Sequence, residues 1–184
     1  MIPPQILTAS GRYFDFLNPS PDSIDITDIA TALSRMPRFT GHTKEFYSVA
    51  QHSVAVSRLV PPEHALAGLL HDASEAYMGD LASPLKQLVP DYKAIEKRVE
   101  RAICQRFGLA FPLDPCIKKA DLTMLVTERR DLMPRPLPEN GGTDAVAWSD
   151  FRGIATLAGH VRPMTSEQAY RWFLRRFHEL TTQT

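Results

Sequence analysis

The chain has 184 residues, 43% of them hydrophobic and 23% charged, and its 21 Lys and Arg offset 21 Asp and Glu. That is enough chain for one domain with its own core, and the even charge excludes the basic footprint of a duplex nucleic-acid binder. No apolar run approaches the roughly 20 residues of a membrane span and Met1-Ile2-Pro3-Pro4 carries no basic leader, so the expectation is a cytoplasmic protein with no membrane partner.

Residues 1–24 hold Pro3, Pro4, Gly11, Pro19 and Pro21 around Tyr13-Phe14-Asp15-Phe16, a pattern for an extended arm or small hairpin. A first helix is predicted over Thr27 to Met36, capped by Asp25 or Thr27, with Ile26, Ile29, Ala30 and Leu33 as its buried stripe. After the loop Arg38 to Thr43, a second runs from about Phe46 to Leu59 and carries His52 on the face of Val49 and Val56. Pro61-Pro62 opens the next, which contains Ala65 to Met78 and stops at Gly79. Ser83-Pro84 begins a short helix to Val89. Pro90-Asp91 begins a long one with Tyr92, Ile95, Val99, Ile103 and Phe107 inward, closed by Gly108. Asp114 to Leu132 is helical and turns Asp121 inward beside Ile117 and Leu125. Residues 134–164 are loop-rich, with one short helix around Trp148 to Leu157. Thr165 or Ser166 caps the last helix, whose core stripe is Ala169, Phe173, Phe177 and Leu180. The fold class is all-α, a single-domain irregular helical bundle with an extended N-terminal arm.

The chemistry concentrates in Leu69-Leu70-His71-Asp72-Ala73-Ser74-Glu75, an apolar helical run that suddenly carries ionisable groups. Helical spacing puts His71, Asp72 and Glu75 along one edge, and buried charges need partners. With His52 and Asp121 also facing inward, two imidazoles and two carboxylates make a mixed N/O ligand set for one divalent Co, Mn, Zn, Ni or Fe. Such a metal keeps a water whose pKa falls from about 15.7 toward 7, and Glu75 stands where a general acid or base would. Cys104 and Cys116 form no C-x-x-C pair and are expected as buried thiols rather than a zinc site or a disulfide. His42, His64, His160 and His178 read as ordinary loop or surface residues, and Glu128 with Arg129 and Arg130 as a charged helix face.

Gln51-His52-Ser53, His71-Asp72-Ala73-Ser74-Glu75, Gly79-Asp80-Leu81-Ala82-Ser83-Pro84-Leu85-Lys86 and Lys118-Lys119-Ala120-Asp121 resemble the H…HD…D signature of HD-domain metal-dependent phosphohydrolases. More narrowly they resemble bacterial 5′-deoxynucleotidases and phage dATP triphosphohydrolases. The match runs from about Arg38 to Asp121, somewhat under half the chain. It implies an HD-type bundle with His52, His71, Asp72 and Asp121 on the metal and with Glu75 and Asp80 in catalysis. It also implies Arg38 on phosphate, Phe39 against the sugar where the family has Trp, Pro84 beside the base, and Lys86 and Lys118 near phosphate. Gln51 stands where Glu is common, with its side chain turned from the metal. The implied substrate is a small nucleotide: a deoxynucleoside monophosphate losing its 5′-phosphate, or a triphosphate releasing triphosphate. A non-catalytic nucleotide or metal sensor is the alternative of another class, and the resemblance implies a homodimer or larger assembly.

Overall fold

Each helix of the computed structural model, which describes residues 3–137 and 148–182, begins or ends where local chemistry allows it. Helix α1 (Ile26–Arg35) is opened by Asp25, whose carboxylate accepts from the Thr27 amide at 2.9 Å, and its Ile29, Ala30 and Leu33 are fully buried. Helix α2 is Val49–Leu59, capped by the Ser48 hydroxyl. Helices α3 (Ala65–Leu70), α4 (Glu75–Met78) and α5 (Ser83–Lys86) are short. Helix α6 (Pro90–Phe107) starts on a proline and ends at Gly108, which takes the left-handed φ of 65° that glycine tolerates. Asp114 caps α7 (Pro115–Leu132), and a reciprocal Thr165–Gln168 capping box opens α8 (Ser166–Thr181).

The N-terminal arm folds into a hairpin in which β1 (Gln5–Leu7) lies antiparallel to β2 (Tyr13–Asp15), with Ile6 opposite Phe14. Phe14 is fully buried with Ile29, Leu33, Val49, Val54, Leu69 and Phe173, so the arm completes the main core. Helix α8 packs across α1, α2 and α3. A smaller cluster of Val56, Val60, Ala65, Ile117, Ala120 and Met124 joins α2, α3 and α7. The chain is thus mostly helical, and among the described residues no helix is long and apolar enough to cross a membrane.

Three local expectations need correction. Helix α2 begins at Val49 rather than Phe46, because Pro37 pairs with Ser48 in an antiparallel bridge and the Val49 amide donates to Met36 O at 3.0 Å, which holds the preceding residues extended. The helix predicted through His71 is interrupted: the amides of Ala73, Glu75 and Ala76 donate three residues back, to Leu70, Asp72 and Ala73, so the turn that carries His71 and Asp72 is tighter than α. Trp148 to Leu157 is not a helix but a 3-10 turn at Ser149–Phe151. Its following backbone is satisfied by α7 instead: Arg130 donates to Leu157 O at 2.7 Å and Gly159 O at 2.6 Å, and Asp131 accepts from the Val161 amide at 2.9 Å. Gln51 fastens the next stretch, donating to Arg162 O at 2.7 Å and accepting from the Met164 amide at 2.9 Å. Of the loop-rich segment, residues 138–147 lie outside the described residues.

Asp131 gives this clamp a pH signature. Hydrogen bonds from Arg130, opposed by burial and aided by the Val161 amide, hold its carboxyl well below the usual range. A carboxylate with a depressed folded pKa stabilises above its unfolded value, about pH 4, and loses that contribution as the pH falls toward the folded one. Asp131→Asn is therefore expected to lower the melting temperature by a few degrees at neutral pH, with the gap to wild type closing below about pH 4. Thermal melts from pH 7 to pH 3 check this, and a gap that stayed constant would remove the ionised carboxylate from the explanation.

Candidate metal centre

His52 is wholly buried because α2 turns it inward between the packed helices. Its Nδ1 lies 2.6 Å from Glu128 Oε1, while its Nε2 lies 3.3 Å from Asp121 Oδ1 and 3.6 Å from Asp72 Oδ2. His71 donates from Nδ1 to Gly68 O at 2.9 Å, which turns Nε2 to Asp72 Oδ2, 3.2 Å away. One ligand atom each from His52, His71 and Asp72 lies within 4.8 Å of the others, and Asp121 joins through its contact with His52. Among the described residues His52 Nε2, His71 Nε2 and Asp72 Oδ2 are all buried without a hydrogen-bond partner. Three orphaned polar atoms converging on one point would be costly in a dry core, and a divalent cation satisfies all of them together. Gly68 permits the approach: a Cβ there would meet Val60 Cγ2 at 3.0 Å and Ser57 Cα at 3.2 Å, so any side chain would push α3, and His71 with it, away from α2.

The carboxylates are driven apart in proton affinity. Burial opposes charge on Asp72, yet His71, His52 and Arg38 outweigh it and hold the pKa far below the usual range. Burial likewise opposes Asp121, which His52, His71 and Lys118 pull down. Glu75 goes the other way: burial first, then the charges of Asp72 and Asp80, push its carboxyl well up. Asp80 is also raised, by burial, against the pull of Arg38. Asp72 and Asp121 are thus pulled down while Glu75 is pushed up, the kind of separation an acid–base site uses.

Glu128 is the residue that sequence reasoning misplaced. It is fully buried rather than part of a charged face, and its carboxylate accepts from Tyr47 OH at 2.9 Å and Arg38 at 3.2 Å besides meeting His52. A signal existed: Ile117, Asp121, Met124 and Glu128 fall on one helical stripe, but Arg129 and Arg130 beside it made the stretch look solvated. Arg38 is buried too, 3.6 Å from Asp72, and its place is set by an unusual turn in which Phe39 and Thr40 both take left-handed φ near 53° and 54°. Two non-glycine residues in that region cost about 1–3 kcal/mol each, and the bond from the Arg38 amide to Tyr47 O, with the Arg38–Glu128 pair, holds the turn in place.

Two cavities flank the cluster. One of about 390 Å³ is lined by His71, Asp72, Glu75, Lys86, Lys118 and Asp121, so Lys86 and Lys118 reach the centre. Neither lysine is free, for Lys86 pairs with Glu96 at 2.6 Å and Lys118, largely exposed, with Asp121 Oδ2 at 2.7 Å. The other, about 350 Å³, brings together Arg38, Phe39, Asp80 and Pro84, and adds Trp148 and Phe151, which nothing in the sequence marked.

No protein-family model matches the chain. It is 44% identical over 177 residues to the uncharacterized protein YfdR of Escherichia coli (strain K12), covering 96% of this chain and 95% of that one. An uncharacterized protein of Rhodobacter capsulatus is 39% identical over 121 residues, 60% of this chain and 62% of its own length.

Proposed function

The chain belongs to the family of Escherichia coli YfdR, and we propose that it is a divalent-metal-dependent phosphohydrolase that removes the 5′-phosphate of deoxynucleoside monophosphates. The observation that carries this reading is the convergence of three buried atoms, on His52, His71 and Asp72, that have no hydrogen-bond partner among the described residues, beside a buried Glu75 whose Oε2 has none either. His52, His71, Asp72 and Asp121 would hold the metal, which supplies a water of lowered pKa when bound. Hydrolysis then forms a water-oxygen bond to phosphorus and breaks the bond to the 5′ oxygen, which leaves as an alcohol and needs a proton. Glu75 is placed to deliver it. Arg38 offsets charge on the phosphoryl oxygens, a contribution that dominates phosphoryl transfer. The cavity of Phe39, Pro84, Trp148 and Phe151 offers apolar faces to a sugar and base, with Asp80 at its edge.

A triphosphate fits less well. The 390 Å³ cavity, where a phosphate tail would extend, sets Lys86, Lys97 and Lys118 against Glu96, Glu100 and Asp114 besides the ligand carboxylates, and two of those lysines are already paired. A sensor without chemistry would have no use for a buried Glu75 whose Oε2 has no hydrogen-bond partner among the described residues. The test is a panel of deoxy- and ribonucleoside mono- and triphosphates with manganese, cobalt or zinc and chromatographic identification of both products. Deoxynucleoside and inorganic phosphate are expected, and release of triphosphate, or no turnover with any metal, would overturn the assignment. Asp72→Ala is expected to lose both the metal, by elemental analysis, and all turnover; full metal content would take Asp72 out of the site.

A further inference from the structure

We infer that His64, Asp114 and Cys116 form a second cation site, selective for zinc and similar thiophilic ions, that braces α3 against α7. One ligand atom of each lies within 4.8 Å of the other two. The carboxylate is already aimed: Asp114 Oδ1 accepts from the Cys116 amide at 2.8 Å as the cap of α7, and this leaves Oδ2 turned to His64 Nε2 at 3.9 Å. A cation on Oδ2 would leave the cap intact. His64 and Cys116 are half-buried and Asp114 is exposed, so the site is open to solvent on one side, while Cys116 packs against the Val56–Ile117 cluster on the other.

The site shares no residue with the first centre and repeats its framework. His64 precedes His71 by seven residues and Asp114 precedes Asp121 by seven, two helical turns or about 10 Å along each element. A cation there ties the start of α3 to the start of α7, the two elements that bring His71 and Asp121 together. The ligand chemistry differs too. An N/O/S set with a thiolate favours zinc, cobalt or nickel over manganese and magnesium, whereas the all-N/O first centre accepts manganese. Binding expels the thiol proton to solvent, and three protein ligands leave a fourth position to water. The sequence pointed away from this, because a pair of cysteines without C-x-x-C spacing looks inert; His64 and Cys116 stand on different elements, and only the fold brings them together.

Cobalt separates the two sites, since only a sulfur ligand gives a near-ultraviolet thiolate-to-cobalt charge-transfer band. Titrating metal-stripped protein with cobalt is expected to raise that band until it saturates, at one equivalent if this site fills alone and by two if the first centre fills beside it, and zinc should abolish it. Cys116→Ser should lose the band, His64→Ala and Asp114→Asn, which keeps a helix-capping side chain, should weaken cobalt at this site at least tenfold, and Cys104→Ser should change nothing. Total bound cobalt should fall by one per chain in Cys116→Ser whether or not the first centre binds metal. Absence of the band, or a band that survives His64→Ala and Asp114→Asn at unchanged affinity, would overturn the site and leave an isolated thiol.

Discussion

Replacing Glu128 with alanine is expected to lower stability by about 3–5 kcal/mol, a fall of about 6–20 °C in melting temperature for a chain of this size. The reason is what the substitution strands. Glu128 is fully buried and, although burial resists its charge, His52 and Arg38 hold its carboxyl below the usual range. Without it, Arg38, which does not shed its proton, loses its 3.2 Å carboxylate and keeps the longer 3.6 Å pair with Asp72. His52 loses more than a partner. The 2.6 Å contact at Nδ1 fixes the ring so that Nε2 faces Asp72 and Asp121. Loss of such an orienting carboxylate costs about 10- to 100-fold in metal affinity. Thermal melts and metal titrations of Glu128→Ala and Glu128→Gln read the two effects separately. The amide is expected to retain more stability than alanine, since it can still accept from Tyr47, while sharing the loss of affinity. Wild-type melting and affinity in both variants would show that water already screens this network.

Glu75→Gln is expected to keep the metal and lose about 10² to 10⁴ in turnover. Glutamine preserves the shape of a side chain that is 6% exposed and leaves His52, His71 and Asp72 untouched, but it has no acidic proton for the departing 5′ oxygen. Elemental analysis and steady-state rates on the best substrate of the nucleotide panel decide the matter. Unchanged turnover with full metal content would reduce Glu75 to a group that merely fills space beside the ligands.

Some of this was legible because the chain punctuates itself. Pro90 and Gly108 bracket α6 where the structure has it, and Asp25, Asp114 and Thr165 cap their helices through bonds no more than three residues away. Where a partner lies far along the chain, local pattern failed. The bridge from Pro37 to Ser48 delays α2, and the Arg130–Asp131 clamp replaces a helix after Trp148. The same division runs through the site. His52, His71 and Asp72 stood out as polar intrusions on apolar faces and do meet. Glu128 was hidden by two arginine neighbours, and Trp148 and Phe151 reach their cavity by a route that no spacing encodes.

The placement of α8 sets a timetable for synthesis. Arg176 donates to the Ser57 hydroxyl at 3.0 Å and to Ser57 O at 3.2 Å, and that hydroxyl donates in turn to Ala65 O at 2.8 Å, so the last helix fastens α2 to the start of α3 from beneath. Phe173 of α8, fully buried, plugs the core that α1, α2 and α3 share. A nascent chain leaves the ribosome from its N-terminus, and every ligand at the centre has emerged long before residue 173 does. Until then α1, α2 and α3 lack the surface that Phe173 and Arg176 supply, so a chain cut before α8 is expected to leave His52 and His71 without their final setting.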